Sequence, residues 1–157
     1  MVTKLMEKIL SKENLEQARK AVIANKGSAG VDRMTVNELT KFIEEHGEEI
    51  TERIKMRKYK PLPVKRVQIP KPDGTKRNLG IPSVKDRWLQ QAVYQVLNPM
   101  FEEVFSNSSY GFRPGRRCED AIVKALEYMN DGNDWLVDMD LSKFFDNVNQ
   151  DILMILV

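Results

Sequence analysis

Trp135-Leu-Val-Asp138-Met-Asp140-Leu-Ser-Lys143-Phe144-Phe145-Asp146 is the stretch from which the fold is most directly interpreted. Its first six residues are apolar except for acidic side chains at alternate positions 138 and 140, which predicts a β-strand with Asp138 and Asp140 on one face. Two carboxylates on an apolar strand repel each other and lose hydration unless a cation lies near them. Mg²⁺ binds through one or two carboxylates plus substrate phosphates, so the pattern favours phosphoryl transfer. A solvated strand end, where Asp is common, is the alternative.

Composition limits the classes of protein to which the chain can belong. Its 157 residues, 41% of them hydrophobic, can bury one modest core, or one domain and the beginning of another. No apolar run has the length of a membrane span, and the N-terminus lacks a signal-peptide pattern. The single Cys118 fits a reducing cytoplasm, and one Cys with one His does not supply the four Cys and His ligands of a structural zinc site.

Charge is distributed unevenly along the chain. The segment 53–77 contains ten Lys and Arg residues against Asp73 alone, a net charge of +9, while the remainder carries −7 of the total of +2. Such an asymmetry favours a polyanionic partner.

The first third has apolar residues at helical spacing, with Ser11 as a cap between two helices. Thr35 and Glu38 form a capping-box pattern for the next helix. Gly47 is expected to end that helix, and Glu48 to begin another.

A basic β-hairpin is predicted from residue 64 to residue 82. Two alternating segments flank Lys71-Pro-Asp-Gly-Thr75, which has turn residues in suitable places. Its cations favour nucleic-acid binding, and a charged edge protected against aggregation is the alternative. Ser83 then caps a long helix, and the loop 108–117 combines aromatics, glycines and arginines suited to bases and phosphates. The residues expected to contact RNA are Lys65, Arg66, Lys76, Arg113 and Arg116.

Four segments together resemble the reverse transcriptases encoded by group II introns. Asn25-Lys-Gly-Ser-Ala-Gly-Val-Asp32 is similar to their N-terminal motif, and the hairpin with Leu79-Gly-Ile-Pro82 to their fingers motif. The family's next conserved motif resembles Ser108-Ser-Tyr-Gly-Phe-Arg-Pro-Gly-Arg116. Its first carboxylate motif resembles Asp140-x-x-x-Phe144-Phe145-Asp146. The resemblance implies an α+β fold: right-hand polymerase fingers, with a helical N-terminus, the hairpin and packed helices, over residues 1–130, and the palm, with its first strand, beginning at 131–157.

The same resemblance implies roles in catalysis. Asp140 would be a ligand of both catalytic Mg²⁺ ions, and the carbonyl of Leu141 a further ligand. Backbone amides near Lys143 and Phe144 would face the incoming triphosphate. Phe145 would form the gate that excludes a ribose 2′-hydroxyl.

It also implies roles for the hairpin. Lys71 and Arg77 would hold the incoming triphosphate, and Ile81 and Pro82 would pack near the templating base. The partners implied are intron RNA, an RNA template with a DNA primer, deoxynucleoside triphosphates and, as one option, a second copy of the chain; no membrane is expected. The expected location is a bacterial-type cytoplasm, associated with the nucleoid during mobility.

The chain ends before the family's second carboxylate motif, so this polypeptide is expected to be an inactive part of an RNA-directed DNA polymerase. Two alternatives stay open: an RNA-binding maturase module without catalysis, and a reverse transcriptase of the retron or diversity-generating type.

Overall fold

The computed structural model describes residues 3–141 and 144–156, except for the side chain of Asp146. The chain divides into two compact units, Met1–Phe105 and Ser106–Val157. The boundary between these units, after residue 105, differs from the boundary between fingers and palm expected after residue 130. The fingers–palm boundary stays a prediction. Helices and a two-stranded sheet occur together, as expected for an α+β protein.

The first unit contains α1 (Lys4–Ile9), α2 (Lys12–Ala24), a 3₁₀ turn (Val36–Glu38), α3 (Leu39–Lys55), β1 (Lys65–Pro70), β2 (Lys76–Ile81) and α4 (Val84–Glu102). The second contains α5 (Cys118–Asn130), α6 (Phe144–Asn147) and α7 (Gln150–Leu156). None of the described helices combines the length and the apolar character needed to cross a membrane.

Helix caps lie where the sequence predicts them. The Ser11 hydroxyl accepts from the amide of Asn14 at 3.3 Å and separates α1 from α2. Thr35 and Glu38 form the expected capping box, although the first turn is 3₁₀ rather than α-helical. A side-chain oxygen at this position satisfies an amide that has no partner within the helix.

The prediction that Gly47 ends a helix is wrong, because α3 continues from Leu39 to Lys55. Gly47 is buried in the middle of α3, where a Cβ atom would lie 3.2 Å from Ile43 Cγ2 and 4.0 Å from Trp88 Cη2. Glycine is used here for close packing against the core, and tertiary contacts outweigh its low helix propensity.

The core of the first unit is centred on Trp88 of α4. Its side chain is 1% exposed, and its indole N–H donates to the carbonyl of Leu15 at 2.9 Å. Asn14 also links the helices, because its side-chain amide donates to the backbone carbonyls of Ile9 and Ala92. The other buried apolar residues around Trp88 are Ile9, Ala18, Val22, Leu39, Ile50, Val84, Ala92 and Val96.

The strand predicted over residues 135–140 is absent: residues 133–141 form no strand in this structure. A strand requires hydrogen bonds to a neighbouring strand, and within the described residues the only sheet pairs β1 with β2. Trp135 and Leu136 are 95% and 88% exposed. The apolar side chains of this segment are therefore not buried as those of a core strand would be.

Candidate nucleotide and nucleic-acid interface

The hairpin turn between β1 and β2 is fixed by local hydrogen bonds. The amide of Gly74 donates to the carbonyl of Lys71 at 3.0 Å, and the amide of Lys71 donates to the carbonyl of Thr75 at 2.8 Å. Gly74 has φ +80°, a conformation that favours glycine. The hydroxyl and amide of Thr75 donate to Asp73 and lower the pKa of its carboxyl.

The register of the hairpin divides its cations between two faces. Lys65 pairs with Ile81, and Ile69 pairs with Arg77. Because like parity shares a face, Lys65 and Arg77 lie on the face that carries the partly buried Val67, Leu79 and Ile81. Arg66 and Lys76 lie on the opposite face. The hairpin therefore presents a basic surface on both sides.

The cations of the hairpin are available to an anion. Lys65, Arg66, Lys71, Lys76 and Arg77 are all exposed. Within the residues that the structure describes, none of them forms an ion pair. Unpaired ammonium and guanidinium groups on one small element suit phosphates, which both groups bind through charge-assisted hydrogen bonds.

Both ends of the hairpin are tied to one buried carboxylate, that of Asp86 in the first turn of α4. Asp86 is 3% exposed. It accepts from the Tyr59 hydroxyl at 2.6 Å, from the Leu62 amide at 3.1 Å and from the Ser83 hydroxyl at 2.6 Å. Leu62 precedes β1 and Ser83 follows β2. A buried carboxylate that accepts three hydrogen bonds is compensated for its lost hydration, so this contact fixes where the hairpin leaves the helical core.

The contact with Asp86 also affects the pKa of Tyr59. Burial, and secondly the hydrogen bond to Asp86, raise the pKa of the Tyr59 hydroxyl well above its usual value. The hydroxyl therefore stays a donor at neutral pH. Because the folded pKa is the higher one, its contribution to stability is present below the pKa of unfolded tyrosine and is lost as pH rises through the folded value.

The loop that carries Gly30 approaches the base of the hairpin closely. A Cβ atom on Gly30 would lie 2.6 Å from Ser83 Cα and 2.8 Å from Ser83 N, so only glycine fits. Ile81 and Pro82, expected near a templating base, are partly buried next to this contact. The sequence motif around Gly30 and the hairpin thus meet in the first unit.

The arginines of the loop 106–117 support its backbone. Arg113 Nη1 donates to the carbonyl of Ser106 at 2.7 Å, and the Arg116 guanidinium donates to the carbonyl of Asn107. Arg116 also lies over the ring of Tyr110, with its Cζ 5.4 Å from the centroid. Both residues organise the loop, and their contact with RNA stays a prediction.

The carboxylate segment lies in the second unit as exposed chain. Asp138 and Asp140 are exposed, and Leu141 is 70% exposed. Within the described residues, no group of three or more His, Cys, Asp or Glu side chains could hold a metal ion. Asp140 and the Leu141 carbonyl offer oxygen ligands of the kind that Mg²⁺ prefers, but not a complete set.

The aromatic pair after Asp140 begins α6. The rings of Phe144 and Phe145 pack edge to face with centroids 5.4 Å apart, and Phe145 is 89% exposed. Exposure leaves the Phe145 ring able to contact a ligand. Lys143, expected near the triphosphate, lies outside the described residues.

Asp86 is the important residue whose role sequence reasoning missed. Its spacing from Ser83 predicts only a helix cap, which the structure contains, with the Asp86 amide 3.2 Å from the Ser83 hydroxyl oxygen. The donors Tyr59 and Leu62 lie more than twenty residues away in sequence. Asp86 stands between Lys85 and Arg87, so the composition of this turn gives no signal that the carboxylate is buried.

Residues 69–156 match the family model described as reverse transcriptase (RNA-dependent DNA polymerase). This match covers more than half of the chain and includes the hairpin turn and the carboxylate segment. The chain belongs to the reverse transcriptase family.

Among curated proteins, the chain is similar to Protein YkfC of Escherichia coli (33% identity over 159 residues, 98% of this chain and 42% of that protein). It is also similar to the group II intron-encoded protein LtrA of Lactococcus lactis (38% over 117 residues, 74% and 19%). The third relative is nuclear intron maturase 1 of Arabidopsis thaliana (33% over 73 residues, 46% and 10%). The chain thus spans less than half the length of each.

Replacing the Asp86 carboxylate should destabilise the first unit. Asp86→Asn keeps the size of the side chain, but it removes a charged acceptor and turns an amide N–H₂ toward groups that donate. We expect a loss of about 1.5–3 kcal/mol in the free energy of unfolding, the scale of hydrogen bonds to charged groups. Urea denaturation followed by circular dichroism measures it.

The matched control is Asp131→Asn, at the exposed C-terminal end of α5. It should change the free energy of unfolding by less than about 0.5 kcal/mol. Equal effects of the two substitutions would show that the Asp86 network does not stabilise the base of the hairpin.

Proposed function

We propose that this chain is the fingers region and the beginning of the palm of an RNA-directed DNA polymerase encoded by a group II intron. The fingers would comprise residues 1–130 and the palm would begin at 131–157. The observation that carries the proposal is the anchored hairpin with unpaired cations, within a chain that belongs to the reverse transcriptase family. The name of LtrA supports the group II intron type over the retron alternative.

In this proposal the tip of the hairpin binds the incoming triphosphate. Lys71 begins the turn, and Arg77 lies opposite Ile69, close to the same turn. An ammonium and a guanidinium would neutralise phosphate charge, the guanidinium with two parallel hydrogen bonds. Ile81 and Pro82, at the base of the same hairpin, would contact the templating base.

The palm residues would complete the site in the longer protein. Asp140 and the Leu141 carbonyl would hold Mg²⁺, which when bound stabilises charge on the transferring phosphates. Backbone amides near Lys143 and Phe144 would face the triphosphate. Phe145 would contact the sugar and exclude a 2′-hydroxyl.

A second function, RNA binding without catalysis, is favoured for this 157-residue chain by a specific contrast. Among the described residues, the cations of the anchored hairpin form no ion pair, and the carboxylates assemble no group of three ligands. The name of the Arabidopsis relative, an intron maturase, agrees with this role. Intron RNA and a template with its DNA primer are the polyanions that we propose as partners.

Catalysis can be tested in a protein that carries this chain at the length of its relatives. Asp140→Ala removes the proposed metal ligand and should lower primer extension on an RNA template at least about a hundredfold, because metal ions contribute several kcal/mol to such reactions. Asp131→Ala, an exposed carboxylate outside the proposed site, is the control. Extension by Asp140→Ala at the rate of the parent would remove the catalytic assignment.

The gate has its own test in the same longer protein. Phe145→Val shortens the side chain and should admit ribonucleotides, with a loss of about 1–3 kcal/mol in discrimination, the scale of a changed steric contact in a pocket. The ratio of ribonucleotide to deoxynucleotide incorporation measures it, and the deoxynucleotide rate is the internal control. An unchanged ratio would assign the gate to another residue.

A further inference from the structure

A pocket of about 340 Å³ lies in the first unit, away from the tip of the hairpin. We refer to it as the α3 pocket, since most of its lining comes from that helix. It is lined by α3, by the linker 56–64 that joins α3 to β1, and by α4. Its aromatic and charged lining residues are Phe42, His46, Glu49, Arg53, Tyr59, Lys60 and Lys85.

The walls of the α3 pocket are held in place before any ligand binds. The amides of Lys58 and Tyr59 both donate to the carbonyl of Arg53, at 2.7 and 3.2 Å, and fold the linker back over the end of α3. The Asp86 carboxylate then holds the Tyr59 hydroxyl and the Leu62 amide. A preformed pocket binds a ligand at a lower entropic cost than a flexible one.

The charge of the α3 pocket favours an anion. Arg53 lies 3.5 Å from Glu49, so these two charges largely offset each other. Lys60 and Lys85 remain, and neither forms an ion pair within the described part of the chain. Two ammonium groups can therefore neutralise an entering phosphate.

The α3 pocket also presents aromatic surface. The rings of Phe42 and His46 pack with centroids 4.9 Å apart, and Lys85 Nζ lies 5.9 Å from the centre of the Phe42 ring. The His46 side chain is 47% exposed, so a planar ligand can reach it. Ring faces next to ammonium groups are the combination that binds unpaired nucleotides.

We infer that the α3 pocket binds one unpaired nucleotide of a single-stranded RNA segment. Lys60 and Lys85 contact its phosphate, and the ring of His46 stacks on its base. An acidic peptide is less suitable, because it would use the ammonium groups and leave the ring unused. The inference rests on the proposed RNA-binding function, but it concerns a site separate from Lys71 and Arg77.

The test is fluorescence anisotropy of the full 157-residue chain with a labelled single-stranded RNA and with duplex RNA of the same length. Lys60→Gln with Lys85→Gln should lower the slope of log affinity against log salt for the single strand by about 0.7, because both ammonium groups contact the same phosphate. Lys4→Gln with Lys8→Gln, on exposed positions of α1, removes the same charge elsewhere and should leave the slope nearly unchanged.

The stacking contact is tested without a change of phosphate contacts. His46→Ala should weaken single-strand binding about fivefold or more and leave duplex binding unchanged, whereas His46→Phe should retain affinity. Lys60→Arg with Lys85→Arg should also retain it. Circular dichroism of each variant shows whether the helices are intact.

Equal slopes for the pocket and α1 variants, or no binding of single-stranded RNA by the parent chain, would overturn the inference. Equal loss of duplex and single-strand binding in His46→Ala would also overturn it. In each case the polymerase proposal is judged separately, by primer extension with Asp140→Ala in the longer protein.

Discussion

Hydrogen bonds from three separate segments to the buried carboxylate of Asp86 are the constraint on which the site depends. Tyr59 and Leu62 come from the linker before the hairpin, and Ser83 comes directly after it. Among the described strands, β1 and β2 pair only with each other. Without this contact, its cations would extend from a flexible connection. With this contact, the cations are carried by a hairpin whose base is fixed to the helical core around Trp88.

The second unit shows what the absence of such a constraint produces. Trp135, Leu136 and Val137 carry the apolar character of a buried strand, yet each is at least 78% exposed. Among the described residues, the carboxylates of Asp138 and Asp140 belong to no group of three or more side chains that could hold a metal ion. A metal site needs ligands from several directions, and the described carboxylates do not supply them, whereas the proposed RNA binding would use residues of the first unit that are already held in place.

Features that depend on nearby residues could be predicted from sequence. The cap at Ser11 and the turn at Gly74 are local and were predicted correctly. Gly47 was interpreted wrongly because its packing against Trp88 depends on a distant helix. The strand near Asp140 was interpreted wrongly because strand pairing is not local. The donors to Asp86 could not be predicted for the same reason, and the motif resemblance indicated the family without showing this contact.

The central claim is that the anchored hairpin is a binding surface for nucleic acid and not a solvated edge. Salt-dependent binding of duplex RNA to the 157-residue chain tests it most directly, with Lys71→Gln and Arg77→Gln combined and the Lys4→Gln, Lys8→Gln pair as the charge-matched control. The slope of log affinity against log salt should fall by about one unit per lost phosphate contact in the hairpin variant alone. A slope near zero in the parent, or the same slope in both variants, would contradict it.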